Sequence, residues 1–268
     1  MSNIKLIALD MDGTACVFQK GIVEGNIQPI ISAQEKGVRV IFATGRPVII
    51  SLPEAYKVKM DQYNEYFIGF NGACIYDIAN QKIVHTQTIN NEHLQLLFKL
   101  ADKYDVDLWC YTDNLDEVIV NFDALGTHNL ECNFFTGKYY QYRELPKITQ
   151  ESYKCLAMNV KETDQFVKEV RLHGIEVAID AAGTAEINAP GISKYVALEW
   201  VAKKLDIDNS EIMAIGDSMN DYTMIKNVGL GIAMGDAQQP LKDVAKDITD
   251  IAANAGVAKM INKYVLNS

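Results

Sequence analysis

The sequence contains no CxxC pair and no HExxH segment. Its five cysteines, Cys16, Cys74, Cys110, Cys132 and Cys155, are odd in number and far apart. That argues against a disulfide framework and for reduced thiols in a cytosolic protein. The four histidines, His85, His93, His128 and His173, lack paired spacing, so a zinc site has no support. No apolar run approaches the roughly 18 residues needed to cross a bilayer. The longest, such as 6–9 and 38–43, are strand-sized. The opening Met-Ser-Asn-Ile-Lys runs straight into a strand and lacks the layout of a secretion signal. Positive charge is scarce: 25 Lys and Arg face 35 Asp and Glu, a net charge of −10. Such a balance grips nucleic-acid backbones poorly. The expectation is a cytoplasmic protein with no nucleic-acid and no membrane partner, whose oligomeric state no motif expresses.

What is present is ordinary globular composition, 268 residues with 49% hydrophobic and 22% charged. That length suits one large domain or two modest ones. A strand over 4–9 ends in Asp10-Met11-Asp12-Gly13-Thr14. A helix is expected over 29–36, stopping at Gly37. The apolar run 38–43 then ends in Thr44-Gly45-Arg46-Pro47, and a short buried strand over 66–70 ends at Asn71-Gly72-Ala73. Near-continuous apolar strands alternating with helices predict an α/β architecture with a parallel sheet. From residue 74 the pattern changes. Two β-rich runs flank Asn80-Gln81, and an amphipathic helix is expected over 91–104, with Leu94, Leu97, Phe98 and Ala101 at helical spacing. Strands follow at 107–112, 117–122, 154–160, 175–180 and 185–189, with a helix near 164–172. Hairpin-linked strands of this kind predict an α+β unit with an antiparallel sheet. After Pro190-Gly191 the first pattern returns, with a helix over 193–205, a buried strand over 211–215 ending in Gly216-Asp217, and a strand over 230–234. The expected organisation is an α/β domain formed by 1–79 and 187–268, interrupted by an inserted α+β domain over 80–186.

Four of these strand and helix ends carry chemistry. Asp10 and Asp12 are two residues apart in an extended segment, which points both to one side, at the strand ends where open parallel sheets hold ligands. Adjacent carboxylates repel unless a cation lies between them or one is protonated. The pair suits a site in which one carboxylate attacks and the other moves a proton; the bland alternative is an acidic turn. Thr44 and the backbone N–H groups after it could hold a phosphate oxygen, although Ser or Thr before a helix is more often a simple cap. Lys194 opens a helix, opposes its dipole and so wants an anionic partner; alone it reads as a surface lysine. Asp217 and Asp221 are four apart and can aim at one point. Carboxylates converging without a metal would be costly. Oxygen-only ligands suit Mg²⁺, which pairs naturally with phosphate.

Asp10-Met11-Asp12-Gly13-Thr14, Thr44-Gly45-Arg46, Lys194 and Gly216-Asp217-Ser218-Met219-Asn220-Asp221 together resemble the four motifs of the haloacid dehalogenase superfamily. Asn71-Gly72-Ala73, the long insertion after the second motif and Glu186-Ile187 before the lysine resemble its Cof-type sugar-phosphatase branch. The resemblance implies a Rossmann-like core with an inserted α+β cap, and phosphoryl-transfer chemistry. It implies that Asp10 attacks phosphorus, and that Asp12 protonates the leaving alcohol and then activates water. Thr44 and Gly45 would hold phosphoryl oxygens, Lys194 would neutralise charge, and Gly13 and Asn220 would lie at the phosphate. Asp10, the backbone carbonyl of Asp12, and Asp217 would coordinate Mg²⁺, with Asp221 in support. Ala15-Cys16, Ser218-Met219 and Ala253-Asn254-Ala255 depart from the usual pattern and remove none of these groups.

The implied function is an Mg²⁺-dependent phosphatase for small phosphorylated metabolites such as sugar phosphates. A phosphomutase and a catalytically silent binding protein are the alternatives. Trp109, Tyr111, Asp113, Asn114, His128, Tyr139, Tyr140 and Tyr142 in the insert are candidates for contacting a leaving group, although aromatics on strands more often pack. Arg46 and Arg143 read equally as structural or substrate-facing.

Overall fold

The computed structural model describes residues 4–63, 65–124, 135–179 and 183–267. Cys132 and His128 lie outside them. Cys16, Cys74, Cys110 and Cys155 are buried free thiols. Among the described residues no helix is long and apolar enough to cross a membrane.

The chain divides into two compact units, one of Met1–His85 with Ser193–Ser268 and one of Thr86–Ile192. The first is built on an eight-stranded sheet. Its order is β16 (Asp247–Ile248), β15 (Leu230–Ala233), β14 (Ile212–Gly216), β1 (Leu6–Leu9), β4 (Arg39–Ala43), β5 (Tyr66–Gly69), β6 (Cys74–Asp77) and β7 (Lys82–Thr86). From β16 to β5 all neighbours are parallel, and β6 turns back antiparallel on β5. Every residue of β1 and β14 is buried, as apolar strands covered on both faces require. β1 lies centrally, where the strand order reverses, the place at which open α/β sheets bind ligands.

The insertion was expected to start at residue 80. Instead β7 continues the core sheet as its edge, and its His85 ring stacks on Trp200 at 5.2 Å. Trp200 belongs to α5 (Lys194–Lys204), the helix that opens on Lys194. The first helix, α1 (Glu24–Glu35), starts before the expected residue 29, with Pro29 inside it rather than at its entrance.

The second unit has a six-stranded sheet. Its order is β10 (Lys138–Gln141), β9 (Glu117–Val120), β8 (Leu108–Thr112), β11 (Ser152–Ala157), β13 (Ala185–Asn188) and β12 (Glu176–Ile179). It is antiparallel except where β10 runs parallel to β9, a strand the sequence did not announce. Helix α3 (Asn91–Tyr104) has the expected bounds, and the Asn90 side chain caps it by accepting from the His93 N–H at 2.9 Å. Its Leu94, Leu97, Phe98 and Ala101 join Phe166, Val167 and Val170 of α4 (Gln165–Leu172) in one core against the sheet.

Glu65, just before β5, is a buried carboxylate outside the motifs. It accepts from Arg39 Nε at 2.8 Å and from the Val40 N–H at 3.3 Å. Burial nonetheless pushes it up to about 7 against the pull of Arg39. An acid raised in the folded state contributes its stability below its ordinary value of 4.5 and loses it as pH rises through 7. We expect a loss on the order of 3 kcal/mol over that window. Thermal unfolding of wild type and Glu65→Gln from pH 4.5 to 8 should show the variant gaining relative stability as pH rises; a pH-independent difference would refute this.

Candidate active site

The four motifs meet at the carboxyl ends of β1, β4 and β14 and at the start of α5. Asp10 continues β1, its N–H donating to the Ile215 carbonyl at 3.0 Å. Ser193 caps α5 by accepting from the Val196 N–H, so Lys194 is the first helical residue. Its side chain is fully buried, and its Nζ donates to Asp10 Oδ1 and to Asp221 Oδ1, both at 2.6 Å. Burial alone would strip the ammonium of its proton, but Asp10 and Asp221 overcome this and hold it above the ordinary lysine range. The surface-lysine alternative is thereby excluded.

Asp221 is fully buried and saturated. Its Oδ2 accepts from the Asp217 and Ser218 N–H groups, both at 3.1 Å, while Oδ1 takes the lysine. Gly216 makes this possible, since a Cβ there would lie 2.4 Å from the Asp221 carboxyl carbon. Asp217 accepts from Thr14 Oγ1 at 3.1 Å and from Ser218 Oγ at 2.9 Å. Thr14, Ser218 and Gly216 were not singled out from sequence as site residues. The close spacing of Gly216 and Asp221 was the available signal.

Burial raises the Asp10 carboxyl well above its usual range; Lys194 opposes this, while Asp221 and Asp217 add to it. Asp217 is raised too, again chiefly by burial. One oxygen each from Asp10, Asp217 and Asp221 lie within 4.8 Å of one another. Three carboxylates against a single ammonium leave surplus negative charge, and every donor is a hard oxygen. This set fits a hard divalent cation. Asp221 is its least available member, because both its oxygens already have partners.

The Asp12 carboxylate stands apart from that group. Both its oxygens are held by the Arg46 fork, Oδ2 accepting from Nε at 2.5 Å and Oδ1 from Nη2. Arg46, left open by the sequence, is therefore bound to the proposed proton carrier. The Thr44 hydroxyl accepts from the Arg46 N–H at 3.1 Å, which leaves its own proton for another acceptor. The Gly13 N–H donates to the Cys16 carbonyl at 3.0 Å and closes the turn after β1. Gly45 lies beside Asn71, and Asn220 Nδ2 donates to Asn71 Oδ1 at 3.0 Å.

A model of the haloacid dehalogenase-like hydrolases matches residues 7–261. The chain belongs to that family. It is a phosphatase of the family, a phosphoric monoester hydrolase, on the Cof-type branch expected from its motifs. It is 32% identical over 268 residues to the Bacillus subtilis protein named 5-amino-6-(5-phospho-D-ribitylamino)uracil phosphatase YcsE, covering 98% of this chain and 97% of the relative. It is 27% identical over 247 residues to a protein of Serratia proteamaculans named HMP-PP phosphatase, covering 90% and 87%. A solved haloacid dehalogenase-like hydrolase from Bacteroides thetaiotaomicron superposes with a TM-score of 0.85 at 28% identity, over 97% of this chain and 99% of that one.

The candidate leaving-group residues of this phosphatase's second unit are engaged in packing and turns. The Trp109 ring meets those of Tyr111 and Tyr139 edge to face, at 5.8 and 5.5 Å, and Tyr142 stacks on Phe98 at 4.5 Å. The Tyr140 hydroxyl donates to Glu117 at 3.4 Å. The Asp113 carbonyl accepts from the Tyr153 hydroxyl, Asn114 shapes the β8–β9 turn through Asp116 and Thr112, and Arg143 pairs with Asp102 on the surface. His128 lies outside the described residues.

Gly216→Ala should force Asp221 away from its two N–H donors and from Lys194. We expect a loss of about 1–3 kcal/mol, typical of overpacking, read as a lowered unfolding midpoint. An unchanged midpoint would mean that Asp221 moves freely.

Proposed function

We propose that this phosphatase acts through a covalent aspartyl phosphate on Asp10, with Mg²⁺ as its cation and small phosphorylated metabolites as substrates. The observation that carries the reading is the buried Asp10 carboxylate, held at 2.6 Å by a buried ammonium and grouped with two further carboxylates. Asp10, Asp217 and the backbone carbonyl of Asp12 would hold the cation, with Asp221 fixing Lys194 and the Asp217 loop. Mg²⁺, when bound, supplies positive charge that favours ionised Asp10 and offsets the charge of the phosphoryl oxygens.

The rest falls to this chain's own residues. Asp10 attacks phosphorus with one carboxylate oxygen as the bond to the ester oxygen breaks. Lys194 keeps that carboxylate oriented and balances its charge. Thr44 Oγ and the Gly45 N–H donate to phosphoryl oxygens, and Asn220 lies at the same end. Asp12 gives a proton to the departing alkoxide and then takes one from the water that cleaves the aspartyl phosphate. Because Arg46 grips both Asp12 oxygens, proton delivery requires the carboxylate to give up one of those contacts. The units Met1–His85 with Ser193–Ser268 and Thr86–Ile192 are read as catalytic core and cap, the cap governing which leaving group is accepted. The name of one relative favours a phosphoribityl pyrimidine as the kind of metabolite accepted.

The test is inorganic phosphate release from sugar phosphates, a phosphoribityl compound, nucleotides and an aryl phosphate, with Mg²⁺ and with EDTA. Turnover should need the cation and vanish in Asp10→Asn. Asp12→Ala should slow it by about 10²–10⁴-fold while inorganic phosphate still binds. Normal turnover by pure Asp10→Asn protein would sink the covalent mechanism. Transfer of the phosphoryl group to another sugar hydroxyl without phosphate release would show a mutase.

A further inference from the structure

Three consecutive residues after β5 have positive φ: Phe70 at 52°, Asn71 at 58° and Gly72 at 111°. This is unfavourable backbone, least tolerable for a bulky residue such as Phe70. What the turn touches explains why the fold keeps it. The Phe70 N–H donates to the Arg46 carbonyl at 3.0 Å, and the Asn71 N–H donates to the Thr44 carbonyl at 2.9 Å. Asn71 Oδ1 accepts from Asn220 Nδ2 at 3.0 Å, and the same oxygen would lie 3.0 Å from a Cβ at Gly45. Gly72 backs onto the cap of α5, where an added Cβ would come within 2.5 Å of the Ser193 carbonyl oxygen. One turn with no catalytic group of its own therefore contacts the segments that carry Thr44, Lys194 and Asn220.

We propose that Asn71 is a positioning residue of the phosphoryl site, its carboxamide holding the Asn220 segment while its N–H holds the Thr44–Arg46 segment, from a left-handed backbone. The inference rests on the phosphatase reading above and adds a residue to it. The residue type matters for two reasons. Asparagine tolerates left-handed φ better than other side chains, and it also supplies the acceptor for Asn220. A turn needing only the backbone shape would be served by glycine. Asn71 is nearly buried, 9% exposed, so its oxygen acts on neighbouring loops rather than on bulk water. The two loops it joins come from β4 and β14, with β1 between them in the sheet. Their separation sets where Thr44 and Asn220 stand around the phosphorus that Asp10 attacks.

The test uses Asn71→Gly, which keeps the backbone and deletes the carboxamide, with Asn220→Ala and the double variant. Aryl phosphate turnover, inhibition by orthovanadate and thermal unfolding are measured on each full-length protein. Asn71→Gly should unfold within a few degrees of wild type yet lose about 10–100-fold in kcat/KM, with weaker vanadate inhibition. Asn220→Ala should act similarly, and the double variant should be no worse than the poorer single, since both remove one shared interaction. With an active wild type, Asn71→Gly turnover within about twofold of it would overturn the inference alone. So would multiplicative losses in the double variant, or an activity loss that only tracks the folded fraction. A wild type releasing no phosphate from any ester would overturn the phosphatase reading, and this inference with it.

Discussion

The ammonium of Lys194, fully buried between Asp10 and Asp221, is the interaction on which the rest of the site depends. A lone charge in that position would be expelled or neutralised, and so would either carboxylate. Each is tolerated because the others are there. The arrangement also ties three separate stretches of chain together, the end of β1, the start of α5 and the loop after β14. Its charge is unbalanced, since Asp217 adds a third carboxylate that no side-chain cation among the described residues answers. Such a site has an appetite for a cation, which phosphoryl chemistry can then use.

Around that centre, hydrogen bonds decide which groups are free to act. Asp221 spends both oxygens on structure, holding the Asp217 loop by its N–H groups and Lys194 by its ammonium. Asp10 gives one oxygen to Lys194 at 2.6 Å. Asp12 is turned into the Arg46 fork instead of toward its carboxylate neighbours. Two carboxylates two residues apart are thus separated in role by their partners: one is embedded beside an ammonium, and the other is half-exposed and paired with a guanidinium that sits partly in water. On the proposed mechanism, the difference between nucleophile and proton carrier would be environmental, because the side chains are chemically the same.

Much of this was legible in the chain. Uninterrupted apolar runs announced the parallel strands, since only strands covered on both faces can afford them. Leu94, Leu97, Phe98 and Ala101 marked the buried face of α3. The four motif segments could be read because phosphoryl chemistry demands particular charged groups at strand ends. Less legible was whatever depends on contact between distant segments. Residue 80 looked like a boundary because the strand pattern changes there, yet Trp200, far along the chain, holds His85 to the core sheet. The helix expected over 29–36 begins five residues earlier, at Glu24, with Pro29 inside it. The parts of Thr14 and Ser218, whose hydroxyls donate to Asp217, show only once those partners are in place.

By itself, then, the sequence determined the α/β core, the inserted α+β unit and the identity of the charged groups, because these follow from local hydrophobic periodicity and from residue type. Only the tertiary structure decided that Lys194 bridges Asp10 to Asp221, that Arg46 holds Asp12, and that the strained turn at 70–72 lies against three of the motif segments. Each of those contacts joins residues far apart in the chain. Their distances are set by strand order and loop closure, which no local pattern encodes.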